Sequence, residues 1–406
     1  MNHRRIYPVG SRRTGMRQGF RENVRLGEAL DAFLPLFGTV EGESIGLDGA
    51  TGRVAASDVS AERPVPHYDR AAMDGYAIRA EDTHGAGDDS PVRLDAAGMD
   101  AAESGCAARV HTGSEVPEGT DAVVRVEDAR EVGGSVEVSV AVSKGENVAY
   151  EGEDVEKGEA VVSEGERLRP STVGVLRSVG VSDVEVRRKP RVAVVPTGDE
   201  VVREDPAPGE VVGTNGPMVA DYVERWGGEA TLADIVPDDE GALRDALTDA
   251  AEGADLVATT GGSSVGERDL LPEVVDEVGG MRVHGVAVKP GHPVGFGVVR
   301  DTPVVVLPGY PVSCVVNSFE FVRRGVRALL GVEEKPEPSV RCRLDRKVAS
   351  EVGSRTYTRV EVKDDEDGRI ARPVRTKGAG VLSSVARADG FVVTPEGREG
   401  YASGEE

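Results

Sequence analysis

Between Arg191 and Leu330 the chain alternates short β-branched runs with longer amphipathic ones, and this alternation restricts the fold more than any other feature. The runs RVAVVPTG, ADLVATTGG and TPVVVLPG are apolar and end in turn residues, as strands covered on both faces do. Between them GPMVADYVERWGG and DDEGALRDALTDAAEG repeat apolar residues at helical spacing. Strand, helix, strand order of this kind predicts an α/β domain with a mostly parallel sheet. Open sheets of that class place their ligands at the carboxyl ends of the strands.

Those strand ends carry the chemistry. After the strand Leu256–Thr260 comes GGSSVGERD, where Gly261, Gly262, Ser263 and Ser264 offer backbone N–H groups to phosphate oxygens without obstruction from a Cβ. The same composition also makes a plain tight turn, and both readings stand. Thr197, Gly198, Asp199 and Glu200 follow the first strand in PTGDE; Asp238 follows another in VPDDE; Asp269 closes the Gly-rich loop. Acidic residues beside a phosphate loop suit Mg²⁺, which takes one or two carboxylates together with phosphate oxygens and waters. Alternatively they cap the helices that follow. Two stiff Pro-Gly turns complete the set: KPGHPVGFG brings Lys289, His292 and Pro293, and LPGYPVS brings Pro308 and Pro311. Lys289 and His292 can bind an oxyanion or simply be solvated.

A chain of 406 residues is expected to hold two to four domains at roughly 100 to 200 residues each. Leu26 to Phe37 reads as an amphipathic helix ended near Pro35. From Ser60 to Ser143 short Val-rich pieces such as SVEVSVAV predict a mostly β module. Glu151 to Ser178 reads as a turn, a strand and a helix opening at Pro170 or Ser171, which is expected to pair with the N-terminal helix. Beyond a linker at Lys335 to Pro338, RTYTRVEVK and FVVTPEG predict a final small β domain. Asp74 in a Met-Asp-Gly-Tyr turn, Thr112 before a glycine, and Asp154 in Gly-Glu-Asp are, by themselves, ordinary turn residues.

Charge narrows the partners. Acidic residues number 72 against 48 basic, a formal net charge of −24, so nucleic acid would be repelled. Only eight of the basic residues are lysine, and with the acidic surplus this predicts adaptation to high salt, where a Debye length of about 3 Å at 1 M makes self-repulsion tolerable. A merely acidic mesophilic protein is the alternative. Three dispersed cysteines, Cys106, Cys314 and Cys342, indicate neither a disulfide framework nor a zinc site and fit a reducing cytoplasm. Residues 1–21 lack acidic groups and an apolar core and read as a disordered leader, not a secretory signal. No run of 18 apolar residues predicts a membrane span.

AMDGYA, HTG with VPEGTDAVV, GEDV, PTGDE, TTGGSSVGERD, KPGHP and LPGYPVS occur in an order that resembles the MoeA-type molybdopterin molybdenumtransferases, the family of gephyrin's E domain, over about residues 22–400. The resemblance implies a multidomain α/β plus β fold in an elongated subunit of a homodimer. Domain I would comprise residues 22–60 and 144–187, domain II the β-rich insertion 61–143, domain III a MogA-like α/β domain at 188–333, and domain IV a small β-barrel at 334–406. It implies a reaction in which adenylyl-molybdopterin is hydrolysed, molybdate enters the dithiolene, and AMP and the molybdenum cofactor leave. Mg²⁺ or a similar divalent ion would assist at Asp269 and Asp238, and a MogA/MoaB-type adenylyltransferase would be a transient partner.

By position, Asp74, Thr112 and Asp154 match functional residues that would face the other subunit's α/β domain, and Glu200, Asp238, Asp269 and Lys289 match those of the α/β domain itself. Gly261 to Ser264, Thr197 to Asp199, Pro308 and Pro311 would hold the adenylylated pterin. Lys289, His292, Pro293, Arg359 and Ser383 or Ser384 would hold molybdate. Four positions depart from the family pattern: His292 stands for a second Lys, Tyr310 for Asn, Ala149 for Arg and Ala379 for Ser. A tungstate-inserting paralogue, a molybdopterin adenylyltransferase and a non-catalytic pterin-binding scaffold are the alternatives. A halophilic archaeon is the source that composition and family together suggest.

Overall fold

The computed structural model describes residues 23–98, 103–261, 270–366, 368–374 and 380–406. The leader expected at residues 1–21 lies outside them, as do Gly262, Ser263, Ser264, Asp269 and Ala379. The chain divides into two compact units, one of residues 42–186 and one of residues 1–41 with 187–406.

In the unit of residues 42–186, a six-stranded sheet has the order Ala122–Arg125, Gly75–Ile78, Cys106–Val110, Val92–Ala97, Ser135–Val138, Ala129–Val132. Val, Ile and Leu side chains alternate into its core, with Ile78, Val124, Val136 and Val138 fully buried. A second core gathers around the helix Pro170–Ser178, whose Val173 and Leu176 pack on Leu168, Val184 and Val186. Pro170 sits in the first turn, where its missing N–H costs nothing.

In the other unit, the central sheet runs Glu229–Leu232, Arg191–Pro196, Leu256–Thr260, Thr302–Leu307, Gly295–Val299, Gly279–His284. The first four strands are parallel, and Gly295–Val299 runs antiparallel to both of its neighbours, Thr302–Leu307 and Gly279–His284. Every residue of Leu256–Thr260 is buried, the two threonines included, as in a strand covered on both faces. Asn215–Trp226 ends on Gly227 in the left-handed conformation, and Glu240–Ala251 starts from Asp239, whose side chain accepts a hydrogen bond from the Ala242 N–H at 2.9 Å. Asp239 is thus the helix cap among the acidic residues of VPDDE. The chain leaves Arg191–Pro196 toward Glu229–Leu232 on one side and returns to Leu256–Thr260 on the other, so the strand order reverses at Pro196 and Thr260.

The N-terminal helix corrects one expectation. It spans Leu26–Phe33, gives way to a 3-10 turn around Pro35, and packs on the α/β fold instead of the helix at Pro170. Phe33 is buried edge-on against Phe296 and Phe321, and Val24 forms a parallel bridge with Val286. Phe33 makes two edge-on aromatic contacts with the α/β fold, which a helix without aromatic residues, PSTVGVLRS, cannot offer.

The final β region is built on the long strand Arg355–Asp365, which pairs with Gly368–Pro373 and Gly390–Thr394. Val288–Lys289 joins the same sheet in parallel, Lys289 opposite Thr356. The Lys-Pro-Gly segment is therefore a strand of the last β sheet as well as a turn of the α/β fold. Among the described residues no helix is long and apolar enough to cross a membrane.

Candidate functional site

Where the strand order reverses, a cavity of about 1160 Å³ opens. Pro196, Thr197 and Glu200 line it from the first strand end, Thr260 and Gly261 from the neighbouring one. The two ends touch. Gly261 has φ +129°, and a Cβ there would lie 2.2 Å from the Thr197 carbonyl oxygen, so only glycine lets the backbones meet. Thr197 is buried, and its Oγ1 makes no hydrogen bond among the described residues; neither does Oδ1 of Asn215 at the mouth of the next helix. Asn215 Nδ2 donates to the Gly309 carbonyl at 2.7 Å, tying that helix to the second Pro-Gly turn.

Gly198 and Asp199 stand just outside the lining. Asp199 Oδ1 accepts the Asp238 N–H at 3.0 Å, which brings the PTGDE and VPDDE loops together. Burial pushes the Asp238 carboxyl up, and the charges of Asp199 and Glu200 add to that. A divalent cation at this point would relieve both effects. No group of three His, Cys, Asp or Glu able to hold a metal occurs among the described residues, but Mg²⁺ sharing phosphate oxygens needs only one or two carboxylates. Asp238, bonded to the PTGDE loop, supplies one carboxylate next to the cavity lining and is not part of it; Asp269 lies outside the described residues.

The rest of the cavity carries both signs of charge. Lys289, Pro290, Gly291, His292 and Pro293 line it, with Pro308 to Pro311 beside them and Arg359 on the last β sheet. Arg359 is among the lining residues and is buried, 5% exposed. Lys289 forms an ion pair with Glu351, which also lines the cavity. Burial, and then the Lys289 charge, lowers the pKa of His292, so the imidazole is neutral at pH 7. The fixed charge at the turn is therefore that of Lys289 alone. Tyr310 is exposed at the rim together with Val211 and Val212. Ser383 and Ser384 open a short helix and do not line the cavity; Ser384 is buried and donates its hydroxyl to the Val381 carbonyl, while Gly380 reaches the wall.

In the unit of residues 42–186, Asp74 Oδ1 accepts the Thr112 N–H at 2.6 Å and the Thr112 hydroxyl at 2.9 Å. These two bonds hold the exposed Asp74 carboxyl below its usual range. Asp154 is exposed in the turn whose N–H donates to Val65 O at 3.0 Å.

Several residues of the site carry no motif. Asn317 is fully buried, and its Nδ2 donates to Gly291 O at 3.0 Å and to Ser313 O at 2.9 Å, fastening the Lys-Pro-Gly turn from behind. Gly291, at φ +117°, leaves the room: a Cβ would lie 2.0 Å from that Nδ2. Tyr357, Glu320 and Glu351 were likewise silent, since a lone Tyr or Glu in a strand or helix reads as surface until a partner across the fold is known.

Three family models match the chain in order. The MoeA N-terminal region (domain I and II) covers residues 24–180, the probable molybdopterin binding domain residues 193–328, and the MoeA C-terminal region (domain IV) residues 341–406. A putative molybdopterin biosynthesis protein of Methanocaldococcus jannaschii is 37% identical over 88% of both chains. The molybdopterin molybdenumtransferase of Haemophilus influenzae is 32% identical over 89% of this chain and 92% of its own. A crystal structure of the molybdopterin biosynthesis MoeA protein from Pyrococcus horikoshii OT3 matches 95% of this chain and 98% of its own, with a TM-score of 0.83 and 33% identity.

Proposed function

Because this chain belongs to the MoeA family of molybdopterin molybdenumtransferases, we propose that its cavity is where molybdate is inserted into adenylylated molybdopterin, with release of AMP. The observation that carries this reading is the cavity's two-sided chemistry. The strand-end backbone at Thr197 and Gly261, the place where α/β sheets take phosphate groups, shares one cavity with two cations, Lys289, which is paired with Glu351, and Arg359. A divalent tetraoxoanion needs such a local concentration of positive charge in a protein of net charge −24.

Gly261 to Ser264 and Thr197 to Asp199 bind the phosphates of the adenylylated pterin, flanked by Pro308 and Pro311. Asp238, with Asp269, would hold Mg²⁺, which supplies charge neutralisation at the pyrophosphate. Glu200 lines the same side and orients water or substrate hydroxyls. Lys289 and Arg359 bind the oxyanion by charge-assisted hydrogen bonds, and His292 and Pro293 shape its seat. Ser383 and Ser384 support that seat through the segment that brings Gly380 to the wall. Four domains, with boundaries at residues 60, 143, 187 and 333, a homodimer in which Asp74, Thr112 and Asp154 serve the partner's cavity, a cytoplasmic setting, and transient contact with an adenylyltransferase that supplies the substrate complete the reading. The acidic, lysine-poor composition supports a salt-adapted, halophilic source.

The test is to incubate the purified protein with adenylylated molybdopterin and molybdate, with and without Mg²⁺, and to follow AMP release together with metal incorporation. AMP release without metal transfer would refute the insertion step. Tungstate run in parallel distinguishes the paralogue, because His292 leaves one fixed charge fewer at the turn than a second lysine would.

A further inference from the structure

The two cations that line the pocket are on neighbouring strands of the last β sheet, Lys289 on Val288–Lys289 and Arg359 on Arg355–Asp365. One helical element bonds to a neighbour of each, to Gly291 two residues after Lys289 and to Tyr357 two residues before Arg359. It starts at Pro311 in the second Pro-Gly turn, runs as an α-helix to Asn317, widens into a π-helical turn at Ser318–Val322, and continues as an α-helix over Arg323–Leu329. Single π-turns inside helices recur at functional sites because they re-aim one side chain.

Here the turn carries Glu320, 7% exposed. Glu320 Oε1 accepts the Tyr357 hydroxyl at 2.6 Å, and Oε2 lies 3.4 Å from Arg324. Tyr357 lines the cavity and is two residues from Arg359, on the same face of the same strand. One turn earlier on the helix, Asn317 holds the Lys-Pro-Gly turn through Gly291 O. The ladder from Lys289 to Thr356 fixes the sideways register of the two chains. The helix adds two hydrogen bonds beyond that ladder, one to the Lys-Pro-Gly turn and one to the strand of Arg359.

We infer that Asn317, Glu320 and Tyr357 are positioning residues that set the spacing of Lys289 and Arg359, and thereby the size of oxyanion the pocket accepts. This rests on the oxyanion reading proposed above. None of the three need touch the anion by a charge. Their effect is on fit, so it appears in the preference for molybdate over sulfate, a smaller anion of the same shape and charge.

The experiment is calorimetric titration of the full-length protein with sodium molybdate and with sodium sulfate, comparing the parent with Tyr357→Phe, Glu320→Gln and Asn317→Ala, and binding of adenylylated molybdopterin as a third readout. Tyr357→Phe removes only the hydroxyl; the expected result is about tenfold weaker molybdate binding, a molybdate-to-sulfate ratio closer to one, and unchanged pterin binding. Glu320→Gln keeps an acceptor for the hydroxyl and should stay within about threefold of the parent. Asn317→Ala should reproduce the ratio change from the Lys289 side. A Tyr357→Phe protein with the parent's molybdate affinity and ratio overturns the positioning role. So does one that loses both anions and the pterin equally, since that is a general loss of fold. A parent that binds no molybdate overturns the oxyanion reading itself and this role with it.

Discussion

Replacing Gly261 by Ala tests whether the two strand ends meet as described. The new Cβ would lie 2.2 Å from the Thr197 carbonyl oxygen, 2.9 Å from its Oγ1 and 3.1 Å from its carbonyl carbon. Two of these are backbone atoms of a buried strand end and cannot swing aside. Alanine at φ +129° adds strain of about 1 to 3 kcal/mol. Forcing Thr197 away adds about 1 to 3 kcal/mol more, the usual cost of overpacking. A total of roughly 2 to 6 kcal/mol is a large part of a domain stability of about 5 to 15 kcal/mol. The single tryptophan, Trp226, sits in the helix Asn215–Trp226 of the same α/β fold, so its fluorescence follows this region during urea unfolding. Gly253→Ala is the control: its φ is +90°, and nothing lies within 4 Å of the added Cβ, so it isolates the conformational cost. Gly261→Ala should lower the unfolding midpoint well beyond Gly253→Ala and abolish pterin binding. Equal destabilisation by the two substitutions would refute the contact between the strand ends.

Four further outcomes follow from the site. Lys289→Ala should weaken molybdate binding by about 10- to 100-fold in calorimetry, the range for one lost charge-assisted hydrogen bond, and unchanged affinity would remove Lys289 from the pocket. Glu351→Gln should act in the opposite direction and tighten molybdate by about two- to fivefold, because Glu351 competes with the anion for the same ammonium group; a loss of affinity would instead make Glu351 part of the seat. Thr112→Val removes the hydroxyl bond that helps keep the Asp74 carboxyl low. The depressed group stays ionised until pH falls below the usual carboxylate range, so its titration followed by NMR should move up in the variant, and the acid limb of turnover with it. Raising KCl from 0.1 to 1 M should raise the thermal midpoint by screening the −24 net charge, and a midpoint that falls with salt would count against salt adaptation.

Period and turn chemistry made the α/β region legible before any coordinates. A run such as LVATT, uncharged and without alternation, gives no face to solvent, and Asp239 caps its helix as VPDDE suggests. The motif residues Thr197, Gly261, Glu200, Lys289, His292, Pro293, Pro308, Pro311 and Arg359 line one cavity, although the sequence spreads them over more than a hundred positions. What stayed hidden depends on long-range pairing. The N-terminal helix could not be assigned its neighbour, because an amphipathic stripe says that a helix packs and not on what. Glu320 and Tyr357 are 37 residues apart, and the ion pair of Lys289 with Glu351 spans 62; no local pattern encodes either.

The sharing of the cavity between two kinds of structure explains why the α/β fold alone would not suffice for metal insertion. Phosphate groups can be held by backbone N–H groups at a strand end, which cost no side-chain ordering and carry no net charge. A free divalent tetraoxoanion has no covalent tether and must be attracted and oriented by full charges in a protein that repels anions overall. The described part of the α/β fold brings Lys289 to the wall, while Arg359 comes from the last β sheet, to which Lys289 is stitched at Thr356. An enzyme that only adenylylates the pterin would need the first kind of site and not the second. Under the proposed function, the Arg359 that the last β sheet adds to the cavity is what favours insertion over adenylylation.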